Sequence, residues 1–248
     1  MENQKIVIGN LKTVMNINDV SSYLKTINKE IVNKQVVICP TNIYIPYFLK
    51  NGYSVGLQDI FINEDGPYTG EVTPNQAISM GIKYAIIGHS ERRTHLNEPD
   101  EIINKKVISA VQSNMQVILC VGETLEEKQM LKTDVVLRRQ LVNALNGLNI
   151  EMLHNVTIAY EPVWAIGTDN VASNKEIERT TNYIKMIVHQ NRGYKNMRVI
   201  YGGSVNDKNI KELNKIKNIS GFLVGGAAAD SEKFLTIINE VVVNQWLF

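Results

Sequence analysis

The chain has 248 residues, 44% of them hydrophobic, and carries 26 Lys and Arg against 25 Asp and Glu. That balance supplies no basic surface for nucleic acid or for an anionic membrane, so an anionic ligand must be held by local groups. No apolar run reaches the length of a bilayer span, and Met1 to Lys5 lack the basic-then-apolar pattern of a leader, so a soluble, cytoplasmic protein is expected. From the N-terminus, short β-branched runs recur: Ile6-Val7-Ile8, Val36 to Cys39, Ser54 to Leu57, Tyr84 to Ile87, Val117 to Cys120, Val156 to Ala159, Arg198 to Tyr201 and Gly221 to Val224. They are continuous rather than alternating, which suits parallel strands buried on both faces. Cys39 and Cys120 each end such a run and are expected to be buried free thiols.

Helical patterns lie between them. Apolar residues recur at helical spacing over Ile102–Val111, Val135–Leu145, Ile177–Val188 and Phe234–Val241, and Ser173 to Glu176 reads as a capped helix start. Strand and helix in alternation imply right-handed βαβ units. Eight of them imply an α/β fold of the (β/α)8 TIM barrel type, one domain over residues 1–248, with an open doubly wound sheet as the alternative. The longest stretch without periodicity is Asp59 to Thr73, with turn signals at Gly66-Pro67 and Gly70. A loop of that length in a compact domain usually has a function.

In such barrels the chemistry sits at the C-terminal ends of the strands. The residues that follow the strands are Asn10-Leu11-Lys12, Gly88-His89-Ser90-Glu91-Arg92-Arg93, Gly122-Glu123, Glu161, Gly202-Gly203-Ser204 and Gly225-Gly226. Taken singly, Lys12 reads as a surface lysine, His89 as a hydrogen-bonded structural histidine and the glycine pairs as tight turns. Together they make a set: backbone N–H groups at glycine turns after the seventh and eighth strands suit a phosphate, and Lys12 adds charge. Glu161 and His89 supply a base and a polarising donor for proton abstraction beside a carbonyl. Glu161 opens an apolar loop, Pro162 to Thr168, which reads either as a water-excluding lid or as an ordinary turn whose Trp164 packs on the core.

On these residues the chain resembles the triosephosphate isomerase family. The likeness rests on Gly9-Asn10-x-Lys12, Ile87 to Arg93, Tyr160 to Thr168, Tyr201 to Val205 and Gly221 to Gly226, with Tyr68-Thr69-Gly70-Glu71 in the long loop, and so runs over nearly the whole chain. The resemblance implies cofactor-free and metal-free interconversion of dihydroxyacetone phosphate and glyceraldehyde 3-phosphate through an enediolate. Catalytic roles then fall to Glu161 as base, neutral His89 as electrophile and Lys12 as the charge that offsets phosphate and enediolate. Asn10, Lys12, Gly167, Ser204, Gly225 and Gly226 are the expected substrate-binding residues, and Glu91 lies beside the site. The lid would protect the enediol phosphate from losing its phosphate to water. The Asp59–Thr73 loop would project from one subunit to its partner in a two-fold homodimer, with Thr69 near the partner's site.

Three positions depart from the family pattern. Leu11 stands where Trp is usual, Asp59 where Asn is usual, and Asp169-Asn170-Val171 where Gly-Lys-Thr usually forms the lid's second hinge. The Val241–Phe248 tail is longer than typical. Two other readings share the motif set: a paralogue that isomerises a four-carbon ketose phosphate, and a family member that binds without catalysis.

Overall fold

A computed structural model describes residues 4–27, 31, 35–62, 65–167 and 171–243. Eight strands are present among them: β1 (Ile6–Asn10), β2 (Val36–Cys39), β3 (Gly56–Leu57), β4 (Tyr84–Ile87), β5 (Gln116–Val121), β6 (Val156–Tyr160), β7 (Arg198–Tyr201) and β8 (Gly221–Val224). Their order is β2-β1-β8-β7-β6-β5-β4-β3, and every paired neighbour is parallel. The seam between β2 and β3 is joined by a parallel bridge, Ile38 to Val55, with the Ile38 N–H donating to the Ser54 carbonyl at 2.9 Å. The sheet thus curls into a nearly closed (β/α)8 barrel, not an open doubly wound sheet. β3 is shorter than its apolar run suggests, with Ser54 outside it. At Gly56 an added Cβ would lie 2.7 Å from the Cys39 Sγ, so only glycine lets this inward position pack there.

Two apolar layers follow from the period of two along each strand. Ile6, Ile8, Val37, Cys39, Ile86, Ile118, Cys120, Ala159, Ile200 and Leu223 fill the barrel interior. The alternate residues, among them Val7, Ile38, Ile87, Leu119, Ile158, Tyr201 and Phe222, face the helices. Asn10 continues the inward register of Ile8, and Glu161 that of Ala159, so the period itself aims both at the barrel mouth. The two thiols are free and buried, and burial pushes the Cys39 thiol up to about 12, which leaves it inert at neutral pH.

The four periodic segments form helices Asp100–Gln112, Thr133–Ala144, Asn174–Arg192 and Ser231–Ile238. Ser173 caps the third, its Oγ accepting from the Glu176 N–H at 3.3 Å, and Gly193 closes it in the left-handed conformation. Between Leu57 and Pro74 the described residues hold no helix or strand. The loop is instead shaped by a bond from the Phe61 N–H to the Val72 carbonyl at 2.9 Å and by the Phe61 and Tyr68 rings, 4.7 Å apart. Thr69 is exposed within it. In the tail, Val241 and Val242 are buried, and residues 244–248 lie outside the described set. No described helix is long and apolar enough to cross a membrane.

Candidate active site

Glu161 is the first residue after β6 and is 2% exposed. Its backbone N–H still bonds to the Val121 carbonyl at 2.8 Å, so its position is fixed by the end of the sheet. Space for it is cleared by glycine on both neighbouring strands. A Cβ at Gly122 would sit 1.7 Å from the Glu161 carbonyl oxygen, and one at Gly202 would sit 3.0 Å from its Cγ. The carboxylate faces two donors. Its Oε1 lies 3.2 Å from the His89 Nε2, and its Oε2 accepts from the Ser90 N–H at 3.2 Å. Burial together with the Glu161 charge pushes the Cys120 thiol well up.

His89 is 6% exposed and stands at the N-terminal cap of the short helix Ser90–His95, where the Glu91 N–H donates to its Nδ1 at 3.3 Å. An accepting Nδ1 leaves the ring proton on Nε2, the atom that faces Glu161 and the cavity.

Lys12 follows β1 with φ at +50°, a left-handed conformation that costs a side-chain-bearing residue about 1–2 kcal/mol. Three bonds hold it there. The Lys12 N–H donates to the Asn10 Oδ1 at 3.0 Å, and its carbonyl accepts from the Gln58 Nε2 at 2.8 Å and the Thr41 Oγ1 at 2.9 Å. Its ammonium is paired with Glu91, and its Cε is 3.6 Å from where a Cβ on Gly225 would be, which sets the charge beside the turn after β8. Burial alone would raise the Glu91 carboxyl, but the Lys12 hydrogen bond and charge hold it below the usual carboxylate range.

Asn10, Lys12, His89, Glu161, Gly167, Ser204, Gly225 and Gly226 all line one cavity of about 220 Å³. The sequence-expected residues are therefore brought together without exception. The cavity is smaller than drug-sized sites and suits a ligand of few heavy atoms. Sequence reasoning missed the Ser90 N–H, Cys120 and Gln58. The first is a backbone group, and the others are ordinary residues whose roles come from distant partners, Glu161 for Cys120 and Lys12, 46 positions away, for Gln58; the one available cue was that Cys120, like Glu161, sits at a strand end. Among the described residues no group of three or more His, Cys, Asp or Glu is arranged to hold a metal.

The loop beyond Glu161 begins with a 3-10 turn, Val163–Ala165. Its Trp164 is not simply packed on the core. The indole Nε1 donates to the Glu123 Oε1 at 2.8 Å, and the Tyr160 hydroxyl donates to the same carboxylate at 3.2 Å. Glu123 is 1% exposed, and burial raises its carboxyl even against these donors. Gly167, at φ +66°, is exposed. Thr168 and the hinge residues Asp169 and Asn170 lie outside the described residues. Leu11 is buried within the outer apolar layer, so the change from the family pattern there is one of packing.

Asp59 sits in a cluster that braces the long loop against the His89 helix. It contacts Lys106 at 2.6 Å and Arg92 at 2.9 Å, and Glu98 lies 2.6 Å from both cations. Burial pushes the Asp59 carboxyl up to about 6 despite the pull of Lys106, and its Oδ1 is buried without a hydrogen-bond partner.

A family model described as triosephosphate isomerase matches residues 5–241. The chain is 37% identical over 243 residues to a triosephosphate isomerase of Alkaliphilus oremlandii (strain OhILAs), covering 94% of this chain and 98% of that one. It is 39% identical over 244 residues to that of Malacoplasma penetrans (strain HF-2), covering 95% and 98%. A third relative, from Thermodesulfovibrio yellowstonii (strain ATCC 51303 / DSM 11347 / YP87), is 37% identical over 244 residues with the same coverage. With barrel, cavity and near full-length likeness in agreement, the chain belongs to the triosephosphate isomerase family.

Proposed function

We propose that this cavity interconverts dihydroxyacetone phosphate and D-glyceraldehyde 3-phosphate, with Glu161 moving the proton. The observation that carries the assignment is the pairing of the buried Glu161 carboxylate with the His89 Nε2 at 3.2 Å, on the wall of a cavity that Lys12 and the glycine turns share. Glu161 takes a proton from C1 of the ketose, and the electron pair moves into the carbonyl to form an enediolate. The His89 N–H and the Lys12 ammonium stabilise the developing oxyanion. Glu161 then returns the proton to C2, and the proton exchange between the two oxygens passes through His89. Asn10 fixes the Lys12 backbone, while Gly167, Ser204, Gly225 and Gly226 receive the phosphate.

The exposed apolar side chains Val14, Ile43, Tyr47 and Leu96 lie on the segments that follow β1, β2 and β4, with Ile43 and Tyr47 in the short helices Asn42–Tyr44 and Ile45–Lys50, and Thr69 is exposed on the loop that follows β3. Together they support a two-fold homodimer through the Asp59–Thr73 loop. Activity is tested by coupled assay with glyceraldehyde 3-phosphate beside a tetrulose phosphate. A triose specificity constant above about 10⁴ M⁻¹s⁻¹ that exceeds the tetrulose value supports the assignment, and the reverse order overturns it.

A further inference from the structure

One buried polar side chain outside the cavity is bonded to the strand end that seats Glu161. Backbone groups along β5 alternate between its two neighbours. The Gln116 N–H bonds to the Lys83 carbonyl on the β4 side, and the Val117 N–H to the Asn155 carbonyl on the β6 side. Odd-numbered residues of β5 therefore serve β6. Where the strand ends, the Val121 carbonyl accepts from the Glu161 N–H at 2.8 Å and the Glu123 carbonyl from the Val163 N–H at 3.0 Å. Gly122, between them, faces the β4 side. Yet β4 ends at Ile87, opposite Leu119, and its chain runs on into the helix Ser90–His95.

Gln140, on the helix Thr133–Ala144, supplies what β4 does not. Its Oε1 accepts from the Gly122 N–H at 2.9 Å, and its Nε2 donates to the Gly122 carbonyl at 3.1 Å. One acceptor and one donor on a single amide are what a paired strand would present. Gln140 is buried and does not line the cavity. Gly122 in turn lies so close to Glu161 that a Cβ on it would overlap the Glu161 carbonyl oxygen. The two backbone bonds that hold the Glu161 segment thus flank the one residue that Gln140 holds.

We propose that Gln140 is a positioning residue for the catalytic base, its amide standing in for the strand that β5 lacks beyond Ile87 and fixing the Gly122 backbone against which Glu161 is set. This rests on the functional reading above, in which Glu161 moves the proton. Without the amide, two buried backbone groups lose their partners, and the Gly122 backbone shifts to recover them. Glu161 is tied to that backbone and shifts with it. A base displaced by a fraction of an ångström still sits in the cavity but no longer meets the reacting carbon in line. Phosphate binding, which falls to the turns after β7 and β8, is left alone.

The test uses the full-length chain with glyceraldehyde 3-phosphate as substrate and inorganic phosphate as competing ligand. Gln140→Met keeps the length and volume of the side chain and removes both bonds. Gln140→Glu keeps an acceptor for the Gly122 N–H and sets an oxygen against its carbonyl. Each is expected to lower kcat by about 10- to 100-fold, with KM and the inhibition constant of phosphate little changed. Asn104→Ala is the comparison, since Asn104 bonds only to the Ala144 and Asn146 carbonyls at the far end of the same helix, and it is expected to keep the parent kcat. A folded Gln140 variant with the parent kcat overturns the proposal, as does a loss confined to KM or an equal loss in Asn104→Ala. Should neither Gln140 variant fold, hydrogen exchange at the Gly122 amide of the parent decides: slow exchange is expected, and exchange at the rate of an unbonded amide overturns the proposal. A parent chain that turns over no triose phosphate while its Gly122 amide is protected overturns the functional reading instead, which separates the two failures.

Discussion

The Glu161 Oε1 and the His89 Nε2 are in contact at 3.2 Å. The Glu91 N–H fixes which His89 nitrogen points inward, so base and donor are aligned by backbone geometry. His89→Gln keeps an N–H donor but loses the ring's fixed direction. It is expected to lower kcat by about 10²- to 10³-fold with little change in KM, the pattern of a group that acts mainly in the transition state. Steady-state kinetics decide this, and a loss confined to KM would instead assign His89 to substrate binding.

Stability should respond to pH through Asp59. Burial holds its folded carboxyl at about 6, above the ordinary 3.8. The folded chain then binds more protons than the unfolded chain between those values, so this group's contribution falls as pH rises from about 4 to about 6. Asp59→Asn removes that penalty and offers an N–H in place of a buried, unpartnered oxygen. The variant is expected to be near wild type at pH 4 and more stable above pH 6, by about 3 kcal/mol. Urea unfolding at both pH values measures the gap, and a gap that does not grow with pH refutes the explanation.

Leu131 carries a local strain of its own. It lies between the helices Leu125–Gln129 and Thr133–Ala144 at φ +57° and is 91% exposed, so nothing its side chain buries offsets the conformation. Leu131→Gly is expected to stabilise the chain by about 1 kcal/mol. The urea midpoint should rise with its m-value unchanged. A lower midpoint would mean that the Leu131 side chain has a partner in solution.

Much of this was legible from sequence, and the reason is periodicity. Continuous runs such as Val117 to Cys120 report strands buried on both faces, and extending the period by two carries Ile8 to Asn10 and Ala159 to Glu161. The motifs around His89, Glu161 and the glycine turns marked which strand ends matter. Contacts between distant segments left no such trace. Trp164 read equally well as a core side chain or part of a lid, and only the fold brings Glu123 to its edge and Lys128 to its face. Likewise, no pattern announced that Lys12 is held in a left-handed conformation by Gln58, 46 residues on.

The proposed dimer has a sharp consequence at Thr69. One chain is 28.0 kDa, and light scattering should give twice that mass. Thr69→Arg, which puts a charge at an exposed position of the long loop, is expected to yield the single-chain mass and a kcat lowered by roughly tenfold or more, since local misplacement of Asn10 and Lys12 is costly. A fully active monomer would remove the partner from the site.

The central claim is that Glu161 carries the proton between the two carbons, and solvent exchange reads it directly. Glyceraldehyde 3-phosphate turned over in D₂O by the wild-type chain should give dihydroxyacetone phosphate with deuterium at C1. Glu161→Gln, nearly isosteric, should fold with unchanged circular dichroism and transfer the proton at least about 10²-fold more slowly. Deuterium incorporation by Glu161→Gln at the wild-type rate would contradict the account.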